Sequence, residues 1–314
     1  MSDGPFELSR SEPNTCGVRK IARQRITKAI DSLQSARLSD KKVHAARKEL
    51  KKARATLRLM RDSLSDATYK RENSILRDAA RPLSEVRDGK ALLNALDEML
   101  ESYGSPARAL PVDGLKSALR RDRTEARRRI LNGAEGLKPQ RAALRNTCKR
   151  AARWPCGRYG WKVIGAGLKR TYRKGRKGLA AAQADCSMEN LHEWRKQTKY
   201  LWHQLQILRP LWPGLIGELA DQTHKLANYL GDDHDLAVLR EKALENEEAV
   251  SDASTLSALI ALIDRRRTEL RDKAFVLGRR IYEEAPKEFA VRFKKYWRDW
   301  KSQPETRVLP HAPA

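Results

Sequence analysis

The sequence predicts an all-α protein of two helical lobes, and three observations carry that expectation. Leucine, alanine, arginine, lysine and glutamate dominate the 314 residues while valine and isoleucine are sparse, a composition of helix formers rather than strand formers. Between Val43 and Arg61, the residues Val43, Ala46, Leu50, Ala53, Leu57 and Met60 recur at alternating steps of three and four, which places them on one stripe of a helix. The stretch then returns. Setting His44 on His192, an offset of 148 residues, pairs Arg47 with Arg195, Lys48 with Lys196, Lys51 with Lys199, Leu57 with Leu205 and Arg61 with Arg209. The echo continues where Leu83–Asp88 answers Leu230–Asp235 with the register slipped by one residue. A repeat this long points to a duplicated half, since solenoid repeats have periods of ~20 to 50 residues.

Residues 1–17, polar with Pro5 and Pro13, are expected to be disordered. An amphipathic helix runs from Val18 to about Ala36 with Ile21, Ile26, Ile30 and Leu33 on its apolar side. Ser39-Asp40 supplies N-cap oxygens for the next helix, which ends near Leu64. A third segment starts near Ala67 and should bend or break at Pro82, which has no N–H to donate; it resumes to Tyr103 and stops at Gly104-Ser105-Pro106. A fourth, from Val112 to about Gly136, carries Arg120, Arg121, Arg123, Arg127, Arg128 and Arg129. These four make an N-terminal lobe over residues 18–136.

Residues 137–160, with Pro139, Trp154-Pro155 and Gly157, read as the transition into a C-terminal lobe over 137–301. That lobe repeats the order: Trp161 to Ala184, then the second histidine helix, then Leu215 to Leu230 with a break and cap at Gly231-Asp232-Asp233. Leu236–Glu248, Thr255–Glu284 and Pro286–Trp300 follow. The tail, 302–314, holds three prolines and is expected to be disordered.

Lysine and arginine number 65 against 40 acids, a formal charge of +25 that costs the compact state self-repulsion and calls for an anionic partner. On charge alone that partner is nucleic acid, an anionic lipid surface, an acidic protein or inorganic polyphosphate. At 40% hydrophobic residues the chain is too apolar for a disordered basic tail. Cys16, Cys148, Cys156 and Cys186 form neither a zinc-like spacing nor a disulfide framework, so all four are expected as free thiols. No secretory apolar run opens the chain, and the longest apolar block, Leu256 to Ile263, falls far short of the ~20 residues that span a bilayer. The expectation is a cytoplasmic protein with no membrane contact.

Beside the apolar stripe, His44, Arg47, Lys51, Arg54, Arg58 and Arg61 stack on an adjacent face. One such helix alone is most simply a solvated surface covered by long side chains. Two copies, each flanked by another basic helix, can instead face one another across a shared groove. There the cations around His44 and His192 should depress both imidazole pKa values. No His-x3-His pair is present, and Asp232, Asp233, His234 and Asp235 read as a helix cap, so no metal is expected. Gly165-Ala166-Gly167 lacks the preceding strand and third glycine of a dinucleotide loop. With no P-loop, Gly-x-Ser-x-Gly elbow or His-Glu-x-x-His present, nothing nominates a catalytic residue or a cofactor, and the chain reads as a non-enzyme.

Val43-His44-x-x-Arg47-x-x-x-Lys51-x-x-Arg54 and Leu191-His192-Glu193-Trp194-Arg195-Lys196-x-x-Lys199 resemble the CHAD family, the conserved histidine α-helical domain. Tyr172-Arg173-Lys174-Gly175-Arg176 and Leu230–Leu236 are also similar to that family's pattern, over about Val18 to Trp300. The resemblance implies two four-helix bundles related by a pseudo-twofold, enclosing a basic channel that binds inorganic polyphosphate, on polyphosphate granules and alongside granule proteins. It implies a channel lined by His44, Arg47, Lys48, Lys51, Arg54 and Arg58 from one lobe and His192, Arg195, Lys196 and Lys199 from the other, with Tyr172, Arg173 and Arg176 as a further basic motif. Trp202 and Gln206 stand where the offset would repeat Arg54 and Arg58. No Glu-x-Glu-x-Lys of a fused triphosphate-tunnel domain is present, so the chain reads as a stand-alone member. A nucleic-acid or nucleoid-binding module is the first rival, and a phosphohydrolase acting on polyphosphate the second.

Overall fold

A computed structural model describes residues 6–11, 14–34, 38–131, 136–157 and 160–303, which are helical with no strand among them. The expected disorder of 1–17 falls partly, and that of 302–314 almost wholly, outside the described residues. Within them Leu8 is buried and its N–H donates to the Ile207 carbonyl at 2.9 Å, so residues 6–11 pack against the body.

The first helix, α1 (Asn14–Leu33), starts earlier than its apolar pattern suggests. In α2 (Asp40–Leu59), the Ser39 hydroxyl caps the free end by accepting from the Lys42 N–H at 3.3 Å. All six residues of the apolar stripe from Val43 to Met60 are buried, and Arg47, Ala55, Thr56 and Leu59 are buried as well. The extra burial arises because α2 is central. It packs against α1, α3 (Asp66–Ser102), α7 (Gly160–Ala184) and α8 (Met188–Leu208).

Three expectations about breaks are corrected. α3 runs unbroken through Pro82. The missing N–H leaves the Asp78 carbonyl without its helical partner, but Asp78 is exposed and water can serve it, while Ala79, Leu83 and Val86 anchor the opposite face in the core. After the short α4 (Ser105–Arg108) and the arginine-rich α5 (Asp113–Leu131), the supposed transition holds a further helix, α6 (Lys138–Ala151), with Pro139 in its first turn where no donor is lost. Likewise α9 (Pro213–Glu245) is continuous through Gly231-Asp232-Asp233. Asp233 is not a cap: it is buried and accepts from Arg271 Nε at 2.8 Å and Arg267 Nε at 3.2 Å, both on α10 (Ala253–Ile281). That interhelical pairing outweighs the roughly 1 kcal/mol by which glycine disfavours a helix interior. The last helix is α11 (Pro286–Ser302).

The cysteine expectation also fails for one pair. Cys16 and Cys156 form a disulfide with Cα atoms 4.8 Å apart, while Cys148 and Cys186 are free. Thr15 and Gly157 exchange hydrogen bonds in both directions, and Arg19 donates to the Trp154 carbonyl at 2.9 Å. These contacts fold the loop after α6 onto the start of α1, a proximity that spacing along the chain does not reveal.

Neither of the two cores belongs to one half of the chain. The larger draws on α1, α2, the first half of α3, α6, α7, α8, the first half of α9, the end of α10, and α11. The smaller lies where the second halves of α3 and α9 meet α5 and α10, around Leu96, Leu115, Leu239, Leu259 and Ile263. The long helices α3 and α9 thread both.

Gly167 lets α7 cross the end of α2 so closely that a Cβ there would collide with the Leu59 carbonyl. Gly165-Ala166-Gly167 thus serves a helix crossing. Gly167→Ala is expected to destabilise by about 1–3 kcal/mol through overpacking, read as a lower urea midpoint at unchanged slope.

Candidate polyanion groove

The charged edge of α2 turns toward α8 and the start of α9. His44, Arg47, Lys48 and Lys51 of α2 line one cavity of about 310 Å³ with Lys199, Trp202 and His203 of α8 and His224 of α9. One turn of helix advances 5.4 Å, so His44, Lys48 and Lys51 present successive groups along one wall while Lys199 answers from the other. Arg47 differs from the rest. It is 9% exposed, and its Nη1 donates to the Ser84 carbonyl at 3.3 Å and lies 3.5 Å from Asp88, tying α2 to α3.

Two of the histidines here, His203 and His224, are held below their ordinary range. Burial pushes His203 down to about 3, with Lys52, Lys51 and Lys199 adding repulsion, while a hydrogen bond to Gln206 at 3.0 Å opposes the shift. His224 is lowered by burial and then by Lys199. Trp202 is stacked with both rings, 4.4 Å from His203 and 3.8 Å from His224. Arg47, Lys48, Lys51 and Lys199 supply cationic charge to the cavity.

His44 also borders a second space, of about 380 Å³ between α2 and α3, lined by Asp40, Lys41, Lys90 and Asn94 among others. Asn94 also borders a smaller space of about 160 Å³ lined by Glu98, Asp232, Asp235 and Arg266. There burial, then Asp235 and Glu98, push Asp232 up to about 6. The charged groups lining the first cavity are cations, and those lining this last one are mainly acids.

Toward the C-terminal end of α2 the cations continue. Arg58 lies 3.9 Å and Arg54 5.8 Å from the ring centre of Tyr200 on α8. Lys174 of α7 is held below its ordinary range, first by burial and then by Arg58, with Arg61 and Lys196 adding to it against Glu193. Lys196 is paired with Glu193.

The remaining candidates separate. His192 and Arg195 sit along α8 toward α9: the His192 ring is 5.2 Å from that of His234, and Arg195 lies against Gly231. Burial and then Arg195 lower His192, and the same two causes push His234 down to about 4. Tyr172 is placed in the core. It is fully buried, stacked on Phe289 at 3.9 Å, and its hydroxyl donates to the Ile281 and Glu284 carbonyls. Arg173 and Arg176 are exposed, and Arg176 acts on the Tyr172 phenol, so it sits on the side of α7 toward α10 and α11. Lys174 of that motif, two positions past Tyr172 and so across the helix from it, reaches toward the end of α2, as does Arg170 just ahead of the motif, paired with Asp62 at 2.5 Å. Sequence reasoning missed both, since Arg170 lies outside the motif and Lys174, inside it, was not placed on the wheel of α7. His224 and Trp202 carried no signal of their own.

A family model for the CHAD domain matches residues 21–244. The chain belongs to the CHAD family. The matched CHAD region runs from within α1 to the last turn of α9, short of the expected limit at Trp300, so α10 and α11 lie beyond it although both pack into its cores. No curated protein matches this CHAD chain. Among its described residues, no helix is long and apolar enough to cross a membrane, and no group of three or more His, Cys, Asp or Glu could hold a metal ion.

Proposed function

We propose that the groove binds inorganic polyphosphate without cleaving it, and that the protein serves as an adaptor on polyphosphate granules, together with granule proteins. The observation that carries this reading is the meeting of His44, Arg47, Lys48 and Lys51 with Lys199 around a single cavity. Lysines bind phosphates as point charges and arginine can grip two oxygens, so a ladder of cations about one turn apart suits a polymer with a charge on every unit.

The pseudo-twofold duplication belongs to the same proposal. Arg47 donates to the carbonyl of Ser84, and Arg195 lies against Gly231, the residue that the sequence repeat pairs with Ser84. Packing also repeats in order: α1 on α2, α2 on α3 and α3 on α5 in the first half, α7 on α8, α8 on α9 and α9 on α10 in the second.

Against the nucleic-acid rival, Trp202 is already stacked with His203 and His224. Long-chain polyphosphate is expected to bind more tightly than single-stranded DNA of equal charge at physiological salt. The logarithm of affinity should fall with log salt by about 0.7 per phosphate contacted, by extension from single strands. Equal or tighter DNA binding would end the proposal. Orthophosphate release on adding magnesium would replace it with the hydrolase reading.

A further inference from the structure

A different cavity, of about 430 Å³, opens between the start of α3 and the end of α6, lined by Ser65, Thr68, Arg71, Arg150, Arg153 and Trp154 among others. None of these residues lines the groove. Its wall is built from donors on a fixed frame. Glu72 is fully buried behind it and receives Arg150 through Nε at 2.7 Å and Nη2 at 2.9 Å, and Arg71 through Nε at 3.1 Å and Nη2 at 2.9 Å. The carboxylate orients both guanidiniums yet neutralises only one of the three arginines, and no acid lines the cavity. Nη1 of Arg71 and of Arg150 makes no hydrogen bond, and Arg153 makes no ion pair, among the described residues.

Two further features bear on the cavity. Trp154 is 4% exposed, and its indole N–H has no hydrogen-bond partner among the described residues. The cavity also sits at the N-terminus of α3, a helix of 37 residues whose first turn adds positive partial charge. Oriented guanidiniums and the Thr68 hydroxyl form a site for a tetrahedral oxyanion, with the ring of Trp154 as part of its wall. The volume lies in the ~300–1,000 Å³ range of small-molecule sites.

We propose that this cavity binds a phosphate group, inorganic or carried on a small molecule, independently of the polymer groove. The test uses ¹⁵N-labelled full-length protein and the indole N–H resonance of Trp154, assigned by its loss in Trp154→Phe. Inorganic phosphate and glycerol phosphate are titrated separately at constant ionic strength set with chloride. A saturable shift of that resonance with either probe is expected, and the tighter probe identifies the source. The shift should persist in Lys48→Glu/Lys51→Glu/Lys199→Glu, where the groove is disabled. Arg153→Gln, at an exposed position that the fold does not use, should raise the midpoint at least tenfold. A resonance that does not move with either probe overturns the proposal. So does the same midpoint in Arg153→Gln, or a shift that disappears in the groove variant.

Discussion

Reversing three groove lysines together, as Lys48→Glu/Lys51→Glu/Lys199→Glu, is expected to weaken long-chain polyphosphate binding about a thousandfold while leaving the helical circular dichroism and the melting temperature close to wild type. The magnitude follows from the contacts. A hydrogen bond to a charged group contributes about 1.5–3 kcal/mol, so losing three costs about 4.5 kcal/mol even at the low end, and tenfold in affinity corresponds to about 1.4 kcal/mol. The salt dependence should flatten too, by about two in the slope of log affinity against log salt.

The choice of residues follows from burial. Arg47 and Arg195 head the sequence repeat, but Arg47 is buried and bonded to the Ser84 carbonyl. Its loss would disturb the α2–α3 contact as well as the groove. Lys48 is exposed, and Lys51 and Lys199 are half-exposed, so their reversal changes the charge of the wall with little change in the core. Binding that survives the triple variant would move the polymer elsewhere, to the arginine-rich surface of α5 for example. A variant that loses its helical signal would return these lysines to a structural role.

Much of the fold was legible because periodicity reports burial directly. The six apolar residues of α2 announced one helix face, and Ser39 announced its start. What failed was the reading of helix breakers. Pro82 and Gly231 stand inside helices because their surroundings override local preference: an exposed carbonyl that water can serve in the first case, a neighbouring arginine and the buried Asp233 in the second. Both depend on residues far away in the chain, as does the Cys16–Cys156 bond. The candidate site was half legible for the same reason. The α2 edge and Lys199 were readable from a repeat and a wheel. The roles of Lys174, Tyr200 and His224 arise from which helices cross at the groove, and no single stretch encodes a crossing. Tyr172 shows the converse, since a polar group within a basic motif is turned inward by the packing of α7 on α11.

Glu72 offers the second large effect. Its carboxylate is fully buried and is the acceptor that joins α3 to α6 through Arg150, with Arg71 beside it. Removing one partner of a buried pair costs about 3–5 kcal/mol. Here the stranded guanidiniums can rehydrate, since the Arg150 side chain is 34% and that of Arg71 53% exposed, so Glu72→Gln is expected near the lower bound, about 3 kcal/mol by urea unfolding at pH 7. Burial by itself would raise the Glu72 pKa, but the hydrogen bonds from Arg150 and then Arg71 overcome it and hold the carboxyl below its ordinary range. A carboxyl whose folded pKa is depressed contributes its full stability above its unfolded pKa, near 4.3, and loses it as pH falls through the folded value. The stability gap between wild type and Glu72→Gln should therefore hold level from pH 7 to about 5 and narrow below about 4.3. His203 and every other titrating group are present in both proteins and cancel in the difference. A gap that stays constant down to pH 3 would mean that Glu72 stabilises by shape and packing, with no contribution from its charge.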